Sequence, residues 1–183
     1  KLVSGSYHNC VLTQTGAVKC WGDNIFGQLG DGTTTVRTVA VEVPGLTGIV
    51  VALAAGHQHT CALTTTGGAK CWGLNWDGEV GDGTTVNRWT PTDVSGLASG
   101  LIDIAAGATH SCAVTAGGGI KCWGYNSYGS LGDGTATRRL TPVDVFGTSS
   151  SYLLSVGKSG TGGGTVGSNP AGIGCGADCT ESY

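Results

Sequence analysis

His59-Thr60-Cys61-Ala62-Leu63-Thr64 runs into a Thr-Thr-Gly-Gly turn at 65–68, then Ala69-Lys70-Cys71-Trp72-Gly73, then Gly81-Asp82-Gly83-Thr84. Each of its landmarks has a counterpart 51 residues away on either side. His8, His59 and His110 share one position; Cys10, Cys61 and Cys112 a second; Cys20-Trp21, Cys71-Trp72 and Cys122-Trp123 a third; Asp31, Asp82 and Asp133 a fourth. No insertion or deletion breaks the register across three copies. A strict period of about 50 residues marks a repeat architecture in which one supersecondary unit is stacked or arranged around an axis.

One unit reads as four short extended runs between glycine-rich turns. In the second copy they are 50–55, 59–64, 69–72 and 90–94, with a long loop from Gly73 to about Asn87. Runs of this length bounded by Gly, Asn and Asp predict strands. Pro91 and Pro142 occupy matching positions in the fourth run, which predicts an edge strand, because proline has no N–H for a ladder. A four-stranded meander cannot bury both faces alone, so radially arranged sheets packing face to face are expected. The predicted fold class is all-β: a partial β-propeller of about three four-stranded antiparallel blades over residues 1–147.

Composition agrees. Glycine contributes 35 of 183 residues and charged residues only 11 %, against about 7 % and 25 % in ordinary globular chains. A net charge of −3 gives no basic stripe for nucleic acid; Arg37, Arg88, Arg138 and Arg139 read as scattered surface charge. No apolar run approaches the ~18 residues of a membrane helix. The chain has no Met and starts inside a repeat, so a fragment of a longer polypeptide is expected.

The cysteines fall in pairs: Cys10 with Cys20, Cys61 with Cys71, Cys112 with Cys122, and Cys175 with Cys179. Folding 61–71 as a hairpin about Thr66 sets Cys61 opposite Cys71, at a separation that a small adjustment brings to disulfide range. Disulfides imply an oxidising compartment. Two other readings stand beside this one: free buried thiols, and zinc held by the His8-Cys10-Cys20 triplet and its copies. The zinc reading has three recurring ligands where a structural site takes four. The repeated Asp-Gly-Thr predicts a turn in which Asp31, Asp82 and Asp133 bond local amides; one carboxylate per turn falls short of a calcium shell. Trp21, Trp72 and Trp123 read as packing between units, and His8, His59 and His110 as hydrogen-bonded structural histidines. A His–Cys–carboxylate nucleophile would need one asymmetric site, which three identical copies do not offer. No cofactor motif is present; Gly157-Lys158-Ser159 lacks the upstream glycines of a phosphate loop.

The string Gly-x-x-His-x-Cys-Ala-x-Thr…Lys-Cys-Trp-Gly-x-Asn-x-x-Gly-x-Leu-Gly-Asp-Gly-Thr resembles the RCC1 (regulator of chromosome condensation) repeat, in the cysteine-paired form of secreted bacterial proteins. The element Gly-Gln-Leu-Gly is kept at Gln28 but carries Glu79 and Ser130 in the later copies. The resemblance implies a propeller, usually seven-bladed, whose remaining blades lie elsewhere in the parent chain. After a Ser-rich linker at 148–151, residues 152–183 resemble the start of an internalin-type B-repeat module holding Cys175 and Cys179.

Function is expected in what does not repeat. Phe26, Trp76, Trp89, Tyr125 and Tyr128 are copy-specific aromatics, most of them on the long loop, and aromatics on propeller loops make good interface anchors. The leading expectation is a non-enzymatic extracellular scaffold that binds a protein or a cell-surface polymer; secreted relatives of this type imply an inhibitor-like role. The alternatives are the namesake's nucleotide-exchange and chromatin-binding role, and a glycan-acting enzyme using the non-repeated Glu42, Asp77 and Glu79, for which paired cleft carboxylates would be required.

Overall fold

A computed structural model describes residues 1–46 and 48–148, together with the backbone of 153–155 and 180–182. Cys175, Cys179 and residues 149–151 of the expected linker lie outside the described residues.

Three four-stranded antiparallel sheets follow one another along the chain. The first contains β1 (Leu2–Ser4), β2 (His8–Leu12), β3 (Val18–Gly22) and β4 (Arg37–Glu42). The second contains β5 (Val50–Ala55), β6 (His59–Thr64), β7 (Ala69–Gly73) and β8 (Arg88–Asp93). The third contains β9 (Leu101–Ala106), β10 (His110–Thr115), β11 (Ile120–Gly124) and β12 (Arg139–Asp144). Each is a simple meander in sequence order, and the described residues contain no helix. Two short strands, β13 (Leu153–Ser155) and β14 (Thr180–Ser182), pair antiparallel near the C-terminus. The fourth strand of each sheet lies at its edge, with Pro91 in β8 and Pro142 in β12. In the second copy that strand runs Arg88–Asp93 rather than 90–94, because Arg88 is drawn in to pair with the loop before it.

The sheets are arranged radially. The ends of the first strands, Ser4–Ser6, Ala55–His57 and Ala106–Ala108, surround one opening of about 350 Å³. There the backbones approach too closely for side chains. A Cβ on Gly56 would fall on the His59 ring and 2.6 Å from the Gly107 carbonyl.

Apolar side chains gather between neighbouring sheets. One cluster joins Cys10, Val18, Cys20, Leu29 and Val43 of the first unit to Leu53, Ala62 and Trp72 of the second. The other joins Cys61, Leu63, Cys71, Val80 and Val94 to Ile104, Ala113 and Trp123. The core is therefore a set of seams, and a single sheet has no core of its own.

Cys10–Cys20, Cys61–Cys71 and Cys112–Cys122 are disulfides, each joining directly opposed residues of a hairpin. The Cα atoms are 4.1 Å apart in all three, the close spacing of a non-hydrogen-bonded antiparallel pair. With the sulfurs joined to one another, the zinc and free-thiol readings lose their thiolates. Each bridge closes a short loop (sequence separation 10), so each should contribute about 2–3 kcal/mol by restricting the unfolded chain. The double variant Cys61→Ala/Cys71→Ala should lose stability of that order in urea denaturation and keep the β-sheet far-UV spectrum. Loss of all structure from this one pair would contradict a core built from seams.

Candidate functional site

The long loop after each Trp-Gly is the most elaborately fixed part of the molecule. Asn24 is fully buried. Its Nδ2 donates to Asp31 Oδ1 (3.1 Å), Thr33 O (3.0 Å) and Thr35 O (3.1 Å), while its Oδ1 accepts from Leu29 N (3.0 Å). Asn75 and Asn126 make the same set at the same offsets. One short side chain thus replaces a strand ladder for a segment with no sheet partner.

The aspartates complete the frame. Asp31 Oδ1 accepts from the backbone N and the hydroxyl of Thr33, and Oδ2 accepts from Arg37 Nε at 2.8 Å. Arg88 does the same to Asp82, and Arg139 to Asp133, each at 2.6 Å. The reading of these arginines as scattered surface charge is corrected here: Arg37, Arg88 and Arg139 are a repeated element that ties the start of the fourth strand to the turn. Arg138 does sit at the surface, beside Asp77 at 3.5 Å. Burial alone would raise the Asp133 carboxyl, but hydrogen bonds from Thr135, Arg139 and Asn126 outweigh it and hold the group at about 2; Asp31 and Asp82 are lowered by the same kind of partners.

The loop in turn presents one backbone carbonyl to the next sheet. Gln28 O accepts Trp72 Nε1–H at 3.0 Å and the Thr60 hydroxyl at 2.8 Å. Glu79 O accepts Trp123 Nε1–H at 2.9 Å and the Ser111 hydroxyl at 3.0 Å. Because Thr60 donates to that carbonyl, its oxygen must accept from His8 Nε2 (2.8 Å), which assigns the tautomer with the proton on Nε2. His59 stands in the same relation to Ser111 at 3.0 Å. Burial lowers His8 to about 4, with the Asp23 charge opposing, and lowers His59 to about 3, with repulsion from His8 and His110 adding. His110 is half-buried and is also lowered by burial. Trp72 and Trp123 are fully buried; Trp21 is half-buried, with no sheet before it among the described residues.

Of the copy-specific aromatics, Phe26 meets Trp76 edge-on at 5.3 Å, joining loops of the first and second units. Trp89 of β8 lies over Gly27, where a Cβ would come within 2.5 Å of its Cδ1. Trp76 is 60 % and Trp89 52 % exposed. Tyr125 and Tyr128 form a separate edge-on pair at 6.1 Å on the third unit, with Tyr128 88 % exposed. The structure thus brings Phe26, Trp76 and Trp89 to one inter-sheet seam and leaves the two tyrosines as a second group. Among the described residues no group of three or more His, Cys, Asp or Glu is placed to hold a metal ion, and no helix is long and apolar enough to cross a membrane.

A repeat profile described as regulator of chromosome condensation (RCC1) repeat matches residues 15–63 and 70–114, and a second profile of the same description matches 1–28, 50–79 and 101–130. The chain belongs to the RCC1 repeat family. It is 35 % identical over 147 residues to the ultraviolet-B receptor UVR8 of Arabidopsis thaliana, covering 79 % of this chain and 33 % of that protein. It is 33 % identical over 149 residues to human HERC4, a probable E3 ubiquitin-protein ligase, covering 80 % of this chain and 14 % of that one. The chain therefore spans a third or less of these relatives. The crystal structure of yeast RCC1 (Prp20) bound to Kap60 superposes with a TM-score of 0.73 at 24 % identity, over 81 % of this chain and 37 % of that one. At that identity the likeness establishes the fold, an RCC1-type β-propeller represented here by three blades.

Glu79 departs from the repeat. In the first blade Gln28 Nε2 donates to Asp23 Oδ2 at 2.7 Å; in the second, Leu74 stands at the position of Asp23. Glu79 is 1 % exposed, its Oε2 accepts Asp77 N at 2.9 Å, and its Oε1 has no hydrogen-bond partner among the described residues. Burial pushes its carboxyl up to about 7, the Asp77 charge adds to this, and local backbone N–H groups oppose it. A raised folded pKa contributes stability that is full below the unfolded value near 4.5 and is lost as pH rises through 7. His8 and His59 act oppositely: their neutral rings contribute stability above pH 6.5 that is lost as pH falls toward 4 and 3. Glu79→Gln should remove only the first effect. Its stability relative to the parent, from urea denaturation at pH 5 and pH 8, should improve by ~2–3 kcal/mol across that interval. A pH-independent difference would show that Glu79 is ionised throughout.

Proposed function

We propose that this chain is part of an extracellular, non-enzymatic β-propeller that binds a partner protein through its loop face. The observation that carries the reading is the Phe26–Trp76–Trp89 group, with both indoles exposed and the phenyl ring half-buried, set on a frame whose polar side chains are already engaged with one another. The repeated Asn, Asp and Arg groups spend their hydrogen-bonding capacity inside the loop, so what the face offers to solvent is aromatic surface. Exposed Trp and Tyr on a rigid support are efficient anchors, burying large area at little entropy cost. The three disulfides fit an oxidising compartment. Yeast RCC1 (Prp20), whose fold this chain shares, is itself found bound to a protein, Kap60. An inhibitor-like role is the form of binding that suits a rigid module with no chemistry of its own; a cell-surface polymer is the other class of ligand such aromatics accommodate.

Further blades of the same kind belong beside the third. Its outer face carries an apolar cleft of about 430 Å³ lined by Ala105, Cys112, Val114, Cys122, Leu131 and Val145, at the positions that receive the next sheet in the two completed seams. These blades are expected in the same parent chain.

Capture from an extracellular fraction on the immobilised parent propeller, set against a Trp76→Ala/Trp89→Ala/Tyr128→Ala variant, tests this. The expected result is a retained protein lost at least ~10-fold in the variant, as befits loss of more than about 1.4 kcal/mol of anchoring, with thermal stability unchanged. Equal capture by both proteins would remove the loop face from the account. Acceleration of nucleotide release from a Ran-like GTPase would replace the reading with an exchange factor.

A further inference from the structure

The outer strands of the three blades are not equivalent. In β8 the Trp89 carbonyl accepts a hydrogen bond from Gly32 N of the neighbouring blade at 2.9 Å, and Pro91 follows two residues later. In β12 the Leu140 carbonyl accepts from Gly83 N at 2.9 Å, and Pro142 follows two residues later. The pairing of these strands with the third strand shifts register between 88 and 92 and between 139 and 143, so the prolines are oriented by the regular pair beyond the shift. Cys71 and Cys122 sit in close, non-hydrogen-bonded pairs with Cys61 and Cys112. Their own backbone groups therefore face Thr92 and Val143, and the preceding residues 91 and 142 turn the other way. The backbone positions of 89 and 91, and of 140 and 142, therefore face out of the sheet, and proline there removes the N–H that an added strand would need. This is a usual device against edge-to-edge pairing. The position of Pro91 and Pro142 in the first blade is Ala40, whose N–H faces outward and is intact.

A second difference lies beside it. Thr90 and Thr141 precede the prolines, whereas β4 has Val39, which is 71 % exposed. The central run Val39-Ala40-Val41 reads the same in both directions. An antiparallel partner centred on Ala40 would set each Val39 directly across from the other copy's Val41, with the two Ala40 backbones exchanging N–H and C=O. Side chains paired in this way are the unit of sheet stabilisation, and a self-complementary strand is what a two-fold, isologous contact requires.

We propose that β4 is an interface between two copies of this chain, paired antiparallel across a two-fold axis at Ala40 to give a sheet continuous through both first blades. One six-residue edge buries less than the ~800 Å² per partner of a standard stable complex, so the pairing is weak and reversible. It lies on the rim of the propeller and does not depend on what the aromatic loops bind.

Sedimentation velocity on the full chain tests it. The weight-average coefficient should rise from monomer toward dimer as concentration approaches about 1 mM, the range expected of so small an interface. Ala40→Pro should remain monomeric at the same concentrations with an unchanged near-UV spectrum, since two other blades already hold proline at this point. Thr90→Val/Pro91→Ala/Thr92→Val, which gives the second blade the same Val-Ala-Val edge, should form assemblies larger than the dimer. A parent chain monomeric throughout, or association that survives in Ala40→Pro, would overturn the proposal; the latter outcome would assign the contact to the open face of the third blade or to the aromatic loops.

Discussion

A single shared carbonyl holds each pair of blades in register. Gln28 O takes an indole N–H and a hydroxyl from the next blade, and Glu79 O does the same for the blade after it. The indole must lie against the loop for this, and a Cβ on Gly30 would stand 2.6 Å from Trp72 Nε1. Glycine at positive φ is therefore demanded twice at that point, by the turn and by the approach of the ring. The carbonyl must also be held still, and the hydrogen bonds of the Asn24 side chain do this for a segment that has no ladder. The Asp–Arg pair then fixes the far end of the segment to the fourth strand. Most of what repeats in this sequence serves to place that oxygen.

The same economy explains where variation is allowed. The seam uses the backbone of residues 28 and 79, so their side chains are not committed, and the three copies carry Gln28, Glu79 and Ser130. In the first blade the side chain is satisfied by Asp23. In the second the partner has become Leu74, and a carboxyl is left buried with one oxygen unmatched. That arrangement costs stability near neutral pH and nothing in the geometry of the seam requires it. Positions 25 and 76 likewise face solvent, with Ile25 and Trp76 both exposed, which is why an aromatic can stand there without disturbing the fold.

Strand positions were legible in the sequence because glycine punctuation and the 51-residue period both mark them. The cysteine pairing was legible because a hairpin about Thr66 has only one register that opposes Cys61 and Cys71. The loop frame is not legible in the same way. Arg37, Arg88 and Arg139 recur at the same spacing as the tryptophans, yet charged residues carry no hydrophobic periodicity, so their sequence positions do not distinguish them from surface charge. Asn24, Asn75 and Asn126 were part of the repeat string, but a role in bridging backbone over eleven residues leaves no local pattern. The meeting of Phe26 with Trp76 and the placing of Trp89 over Gly27 were hidden for another reason. They come from different blades, and only the seam brings them together.

Among the described residues every covalent cross-link lies within a blade and both seams are noncovalent. Loop-closure stabilisation is thus confined to hairpins that are already local, while the long-range order of the molecule rests on buried indoles, hydroxyls and apolar contacts between sheets. A blade without neighbours keeps its bridge and loses its core. That asymmetry makes an uncovered face or an unblunted edge consequential in this fold. The third blade's open cleft and the outward N–H of Ala40 are two such places, of different chemistry: one calls for an apolar sheet face with an indole and a hydroxyl to donate, the other for nothing more than an extended strand without proline.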